Sequence, residues 1–561
     1  MDLRLLGAEP SDAERTAIDT VVGSAGADDG RVSRADRTRR HLLLPALRAA
    51  QRRVGWVSEG ALGYASRRLD VPPAEAYGVA SFYALISLEE RPADVLHVCT
   101  DLACQLAGAS EVLPGAHASP CLGLCERAPA SLRTIAGLEP REVPLPETGP
   151  PLPQRGEAGL RLLRRIAADI DPESLDAYRA HGGYTALHRA FELEPEGVVR
   201  EVTESRLLGR GGAAFPTGAK WAAVARQAAY PHYLVCNADE SEPGTFKDRI
   251  LMESDPFALV EAMTIAAFAT GCEHGYVYVR AEYPVAHARL EHAFAVARAH
   301  GLLGDDIMGT GFAFDIELRI GAGAYVCGEE TALFQSIEGY RGEPRNKPPF
   351  PVEVGLHGKP TVVNNVETLF NVLDVVSDTG TAYAQTGTEG STGTRLFCVS
   401  GHVGRPGLYE VPFGTNLRDL LDQAQARPPK AVLLGGAAGS FLRPDQLDLP
   451  LTFEDARAAG ATLGSGVVLV YDETADLVAA VLRIAEFFRD ESCGQCVPCR
   501  VGTVRQEEAL HRLVAGKANG NERAVLADLT AVMRDASICG LGQTAANAVE
   551  SAMMNLGVLA Q

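Results

Sequence analysis

The pattern of apolar and polar positions changes character several times along the chain. Over residues 1–90 it is helical. In Arg39 to Arg53, basic residues alternate with Leu42, Leu43, Leu44 and Leu47, and Pro45 marks a helix start. This reads as an amphipathic helix with a solvated basic face, on which a partner could also dock. Val95 to Cys99 has the alternation of a short strand. Pro140, Pro144, Pro146, Pro150, Pro151 and Pro153 predict a linker, followed by a helix over Leu160 to Ile170. Strand-like runs then appear at Tyr233 to Cys236, Tyr276 to Val279 and Phe312 to Leu318, separated by helical stretches such as Pro256 to Thr270. Strand–helix alternation predicts a mostly parallel sheet. From Thr394 the runs shorten: strands at Leu396 to Ser400, Gly407 to Val411, Ala431 to Leu434 and Val467 to Tyr471, with a helix at Leu417 to Gln423. From Asp476 the pattern is helical again, and no internal repeat is visible.

Composition narrows this picture. A chain of 561 residues is too long for one core, and length alone suggests about four domains. A net charge of -20 argues against general affinity for nucleic acid or anionic membrane. The start, Met1 to Pro10, lacks the apolar core of a secretory signal, and no run has the length of a membrane span. A cytoplasmic home is expected, with thiols committed to metal.

The chain has 12 cysteines, and eight fall into two quartets. Cys493, Cys496 and Cys499 stand two residues apart, and Cys539 follows with 39 residues between it and Cys499. Three closely spaced thiolates and a distant fourth suit a 4Fe–4S cluster, whereas structural zinc more often takes two Cys-x2-Cys pairs. Upstream, Cys99 and Cys104 form one short pair, and Cys121 and Cys125 another. Two such pairs can hold a 2Fe–2S cluster, two thiolates per iron, with zinc the rival occupant. Cys236, Cys272, Cys327 and Cys398 lie singly in apolar or Gly-rich strings and read as small buried hydrophobes.

Five further clusters lie between the quartets. Gly209, Arg210, Gly211 and Gly212 begin a Gly-rich loop that continues through Phe215 to Lys220. Such a loop brings backbone N–H groups and a helix N-terminus to a phosphate. It matches neither the P-loop nor the Rossmann fingerprint. Asn237 to Gly244, with Asp239 and Glu242, follows a strand, where open α/β sheets place ligands. Gly321 to Thr331 holds Tyr325, Gly328, Glu329 and Glu330; Arg345 to Pro351 holds Lys347 and Phe350; Asn364 and Asn365 complete the set. Singly, each is more often an ordinary loop. Together they suit a flavin beside a dinucleotide.

In this order the clusters resemble the NADH-binding flavoprotein subunit of respiratory complex I and its relatives in NAD-reducing hydrogenases and NAD-dependent formate dehydrogenases. The upstream cysteines, with Ser81-Phe82-Tyr83 before them, resemble the thioredoxin-like 2Fe–2S subunit of the same complexes. The resemblance implies a fused, multidomain α/β protein. It has an N-terminal helical and thioredoxin-like domain (1–150), a Rossmann-like FMN/NADH domain (151–390), an SLBB β-grasp module (391–475) and a C-terminal helical bundle (476–561). It implies FMN, NAD, 4Fe–4S and 2Fe–2S cofactors. Gly209, Arg210, Gly211, Gly212 and Lys220 would cradle the flavin. Asn237, Asp239, Tyr325, Gly328, Glu329, Asn364 and Asn365 would complete its pocket. Phe215 and Phe350 would stack on NAD(H), while Glu242, Glu330 and Lys347 would contact its ribose and nicotinamide. Glu242 is the residue placed at the chemistry.

Two departures stand out. Only 16 residues separate Cys104 from Cys121, which predicts a trimmed domain with a more exposed cluster or a changed partner. Ala223 stands where some relatives carry an aromatic. The implied reaction is hydride transfer between NAD(H) and flavin, with single electrons relayed to a partner subunit. The fused order and the runs Asp490 to Cys496 and Arg534 to Gln543 favour a molybdenum or tungsten formate dehydrogenase as that partner. A nickel–iron hydrogenase or a complex I-like dehydrogenase is the alternative. An electron-relay scaffold without nucleotide turnover is the reading from another class.

Overall fold

A computed structural model of the chain describes residues 7–23, 39–109, 112, 114–518 and 520–559. Most of the Met1 to Pro10 segment lies outside these residues, as does part of the short insert after Cys104. The N-terminal helices are Asp12–Val22, Leu43–Val54, Glu59–Arg68 and Pro73–Ala80. The second of them starts two residues before Pro45, leaving the proline in the first turn, where it breaks no intrahelical bond. Leu43, Leu44 and Leu47 are buried as expected. The basic face is not wholly solvated. Arg52 pairs with Glu142 at 3.4 Å, and Arg48 lines a cavity with His97 and Thr134, because a sheet packs against it.

That sheet has strands β1 (Asp94–Cys99), β2 (His117–Ser119), β3 (Ser131–Ile135) and β4 (Arg141–Leu145), in the order β2-β1-β3-β4. β1 and β2 run parallel, and β3 is antiparallel to both β1 and β4. β4 corrects the linker expectation. Pro144 lies inside it, tolerated because this is an edge strand. The predicted helix over Leu160 to Ile170 is also reduced, to Arg164–Ala167. The Glu410 carboxylate explains this. It accepts the backbone N–H groups of Arg161 at 3.0 Å and Leu163 at 2.9 Å, drawing the segment into an irregular wrap.

The second sheet holds β5 (His232–Ala238), β6 (Cys272–Val279), β7 (Asp315–Ile320) and β8 (Thr361–Asn365), all parallel, in the order β7-β6-β5-β8. Helix Pro256–Thr270 is apolar nearly all round because it is covered on nearly all sides. β7 starts later than expected from Phe312. Phe312 and Phe314 instead close a turn, their carbonyls accepting from Ile307 and Gly304 at 2.8 Å each. The carboxyl ends of the four strands deliver residues 237–244, 280–283, 321–331 and Asn365 to one edge.

The third sheet comprises β9 (Thr394–Gly401), β10 (Gly407–Pro412), β11 (Ala431–Leu434), β12 (Ser440–Leu442) and β13 (Val467–Tyr471), in the order β10-β9-β13-β11-β12. β9 and β13 are its one parallel pair. Leu417, Leu420 and Leu421 of helix Leu417–Gln423 close a separate small core on it. Helices Leu477–Asp490, Val497–Val514, Glu522–Ala536 and Asn547–Leu556 follow. Their core is continuous with that of the flavin-type sheet and the N-terminal helices. Among the described residues, no helix is long and apolar enough to cross a membrane.

Candidate functional site

Close backbone approach brings four of the predicted loops together. A Cβ on Gly211 would lie 3.2 Å from Asn365, and one on Gly328 3.4 Å from the Asp239 carbonyl. Gly212 has φ +112°, and the Gly464–Ser465 turn of the third sheet's module lies within 4 Å of it. Asn237 donates to the Gly328 carbonyl at 2.8 Å and accepts from the Asp239 N–H at 3.2 Å. Asn364 accepts from the Trp221 indole at 2.8 Å, fixing helix Thr217–Ala225 behind the Gly-rich loop. Asn365 caps helix Val366–Ser377 and donates to Asp248 at 2.6 Å.

Glu242 is held from two sides. The Tyr325 hydroxyl donates to it at 2.6 Å, and the Ala438 N–H, from the third sheet's module, at 2.8 Å. Burial pushes its carboxyl up to about 7, against the stabilising hydrogen bond from Tyr325. Burial likewise lifts Asp239 to about 8, with Arg280 opposing. A charged chain runs along the mouth. Lys220 lies 3.6 Å from Glu330, and Lys347 lies 2.9 Å from Glu330 and 2.8 Å from Glu329. Burial would raise Glu330, yet Lys220 and Lys347 bring it below its ordinary value. Phe215 and Phe350 expose 55% and 52% of their surfaces, unusual for large aromatics, and Lys220 sits 5.7 Å over the Phe215 ring.

Two predicted residues are placed differently. Arg210 is fully buried and turns toward the third sheet's module. Its guanidinium donates to the carbonyls of Thr392 at 2.7 Å and Leu208 at 3.1 Å, and its backbone N–H to Thr368 at 2.8 Å. Its Nε lacks a protein partner but is itself buried, so the side chain presents no open fork to a phosphate. Glu329 spends one oxygen capping helix Glu330–Ile337 through the N–H groups of Thr331 and Ala332. Ala223 is half-buried in helix Thr217–Ala225.

Sequence reasoning missed several participants. Glu240 accepts the N–H groups of Asp248 and Arg249 at 3.0 Å each, and buried Lys247 pairs with Asp248 and Glu367. Glu491 accepts from the Tyr325 N–H at 2.8 Å, and burial raises it to about 7. Glu240 lies inside the 237–244 cluster, and the Asp-Glu-Ser run before Cys493 was the signal for Glu491. On or beside these loops, Asp239 Oδ2, Thr217 Oγ1 and Ser465 Oγ are buried without hydrogen-bond partners. Such orphaned atoms, with the glycine cradle and exposed rings, fit a large polar aromatic ligand such as a flavin nucleotide.

Cys493, Cys496, Cys499 and Cys539 line one cavity with Val326, Pro344 and Leu541. Cys496 and Cys539 each stand just before a helix, and Cys499 lies in the first turn of Val497–Val514. Gly542 leaves no room for a Cβ, which would meet Cys499 Cβ at 2.9 Å. Backbone N–H groups of Leu541 and Gly542 lie against the Cys539 sulfur, while burial raises that thiol to about 12 and Cys499 to about 11. Four cysteines lining one cavity, with backbone N–H groups beside a sulfur, fit a 4Fe–4S cluster.

Cys99, Cys104, Cys121 and Cys125 are all at most 5% exposed, so the short insert does not uncover them. The flavin-type unit itself covers this site, through Arg249, Arg280 and Tyr283. Cys121 and Cys125 sulfurs lie 3.5 Å apart, and N–H groups of Gly123 and Ala130 point at Cys121 and Cys104. Four converging sulfurs with N–H donors fit a 2Fe–2S cluster. Cys236, Cys272, Cys327 and Cys398 are buried singly.

Known families match in the same order. Residues 31–119 match the thioredoxin-like [2Fe-2S] ferredoxin, 202–374 the Nuo51 FMN-binding domain, 396–432 the SLBB domain and 479–556 the NADH-ubiquinone oxidoreductase-F iron-sulfur binding region. An NADH-quinone oxidoreductase subunit of Rhizobium meliloti is 44% identical over 398 residues, 70% of this chain and 94% of that protein. NADP-reducing hydrogenase subunit HndC of Solidesulfovibrio fructosivorans is 44% identical over 399 residues, 70% of this chain and 81% of that one. A solved chain of NAD+-reducing [NiFe]-hydrogenase superposes with a TM-score of 0.77 at 33% identity, covering 94% of this chain and 95% of that one. The chain belongs to the NADH-binding flavoprotein subunits of NAD-dependent flavin iron–sulfur oxidoreductases, here with 2Fe–2S thioredoxin-like, FMN-binding and 4Fe–4S domains fused in one polypeptide.

Proposed function

We propose that this chain is the diaphorase half of a larger enzyme: it exchanges hydride with NAD(H) and passes single electrons to a separate catalytic subunit. One observation carries the reading. The loop 321–331 touches both centres, because its Tyr325 holds Glu242 while the adjacent Val326 lines the Cys493/Cys496/Cys499/Cys539 cavity. Bound flavin would supply the change from two-electron to one-electron chemistry. The protein's own task is alignment. Phe215 and Phe350 stack the nucleotide. Glu330 and Lys347 would fix its polar end, and Lys220 would serve the flavin cradle. Glu242 holds the reacting ring in register, with Asp239, Tyr325 and Gly328 around it. The units divide near residues 150, 390 and 475, and the cytoplasm is the expected location.

The partner is proposed as a molybdenum or tungsten formate dehydrogenase, supported by the runs at 490–496 and 534–543; the fused order is shared with the hydrogenase chain. A nickel–iron hydrogenase is the second reading, favoured by the nearly full-length match to a chain of that enzyme. Either would cover the exposed face of helix Val497–Val514, where Val497, Val501 and Val504 stand at helical spacing beside the cluster cavity. Metal analysis of the co-purified complex separates the two: molybdenum or tungsten supports the first, nickel the second. Purified chain should also reduce ferricyanide with NADH. A flavin-containing, iron-replete preparation that does not do so would be a relay scaffold instead.

A further inference from the structure

The Cys121–Cys125 loop is clamped by the neighbouring unit. Arg280, just after β6, donates to the Cys121 carbonyl at 2.5 Å and to the Glu240 carbonyl at 2.7 Å. It is 2% exposed and pairs with Glu282 at 2.6 Å. Arg249 donates to the Gly123 carbonyl at 2.9 Å and reaches Glu126 at 2.5 Å. Tyr283 packs so closely on Gly123 that no Cβ would fit, and the Gly244 backbone lies against the Cys121 sulfur. A buried guanidinium from just after β6 thus donates to the carbonyl of Cys121 itself.

We propose that Arg280 sets the reduction potential of the 2Fe–2S centre, holding it higher than its four thiolates alone would. This rests on the reading of Cys99, Cys104, Cys121 and Cys125 as that centre's ligands. Reduction adds one electron, and one negative charge, to the cluster. A fixed cation nearby stabilises the reduced form more than the oxidised form, and low surrounding polarity strengthens the effect. Glu282 offsets part of that charge. The flavin-side loop 237–244 and the cluster loop therefore share one cation, through the Glu240 and Cys121 carbonyls.

The test is an EPR-monitored redox titration of the full chain and of Arg280→Gln, Arg280→Lys and Glu282→Gln, with the 4Fe–4S signal as internal reference. Arg280→Gln should lower the 2Fe–2S midpoint by about 59 mV, a tenfold change in the reduced-to-oxidised ratio at fixed ambient potential. Arg280→Lys keeps the charge and should retain most of the potential. Glu282→Gln should shift it upward. A purely structural role predicts no such opposition of sign. An unchanged midpoint in Arg280→Gln, or equal shifts in Arg280→Gln and Glu282→Gln, would overturn the proposal. If Arg280→Gln fails to retain its clusters, the sign of the Glu282→Gln shift decides. A wild-type chain showing only the 4Fe–4S signal would refute the ligand assignment itself.

Discussion

At the scale of single residues, burial decides what the carboxylates do. Glu242 is held near 7 by desolvation, so the folded protein favours its neutral form relative to the unfolded chain. Below pH 4.5 both states hold the proton and the effect is absent as a cost. As pH rises from 4.5 through about 7, the unfolded chain releases its proton while the buried carboxyl keeps its own, and stability falls by on the order of 3 kcal/mol. Glu242→Gln removes that dependence. Its apparent melting temperature between pH 5 and 8 should therefore fall less than that of the wild type; parallel profiles would contradict this. Arg210 makes the complementary case. Its guanidinium bridges Thr392 and Leu208, so Arg210→Met should cost about 2–3 kcal/mol in denaturant unfolding through unpaired carbonyls. NADH affinity of the folded variant should stay within a few-fold. From sequence alone, Arg210 beside glycines looks like a phosphate ligand. Its inward direction depends on Tyr383, Thr392 and Phe413, which lie 173 or more positions away and carry no local signal.

At the scale of elements, periodicity served best where an element answers to its own residues. Helix Pro256–Thr270, apolar but for Glu261 and its threonines, and strand β13, apolar apart from the Tyr471 hydroxyl, stand as read. Elements governed by distant partners were not legible. Glu410 unwinds the segment before Arg164, and an edge position lets β4 run through a proline. β8 and β12 are short and escaped the pattern. The Gly-rich loop is set by how helix Thr217–Ala225 lies on the part of Thr185–Glu204 that follows its kink at Glu194. A Cβ at Gly218 would meet Thr203 Oγ1 at 2.5 Å and its Cα at 2.6 Å. Gly218→Ala should therefore push the helices apart, costing about 1–3 kcal/mol, and reduce the flavin retained on purification. Wild-type flavin content and stability in that variant would show that the contact does not position the loop.

At the scale of the whole molecule, three sheets and a helical bundle place a nucleotide-type pocket beside one cysteine cavity and within reach of another. The two quartets were legible because thiolate spacing is local chemistry. Their mutual placement was not, since it depends on the Tyr325–Glu491 and Arg280–Cys121 contacts between units. The exposed valines of helix Val497–Val514 make the partner face testable. Val501→Asp should abolish co-purification of the catalytic subunit while leaving NADH–ferricyanide activity unchanged; intact complex would move the partner elsewhere. The central claim is that NADH electrons enter at a flavin and leave through iron–sulfur centres. Anaerobic titration of the iron-replete chain with NADH, followed by visible absorbance and EPR, tests it directly. The expected result is bleaching of a flavin band, together with a reduced 4Fe–4S signal that Cys539→Ser loses. Flavin that stays oxidised under excess NADH would contradict the account.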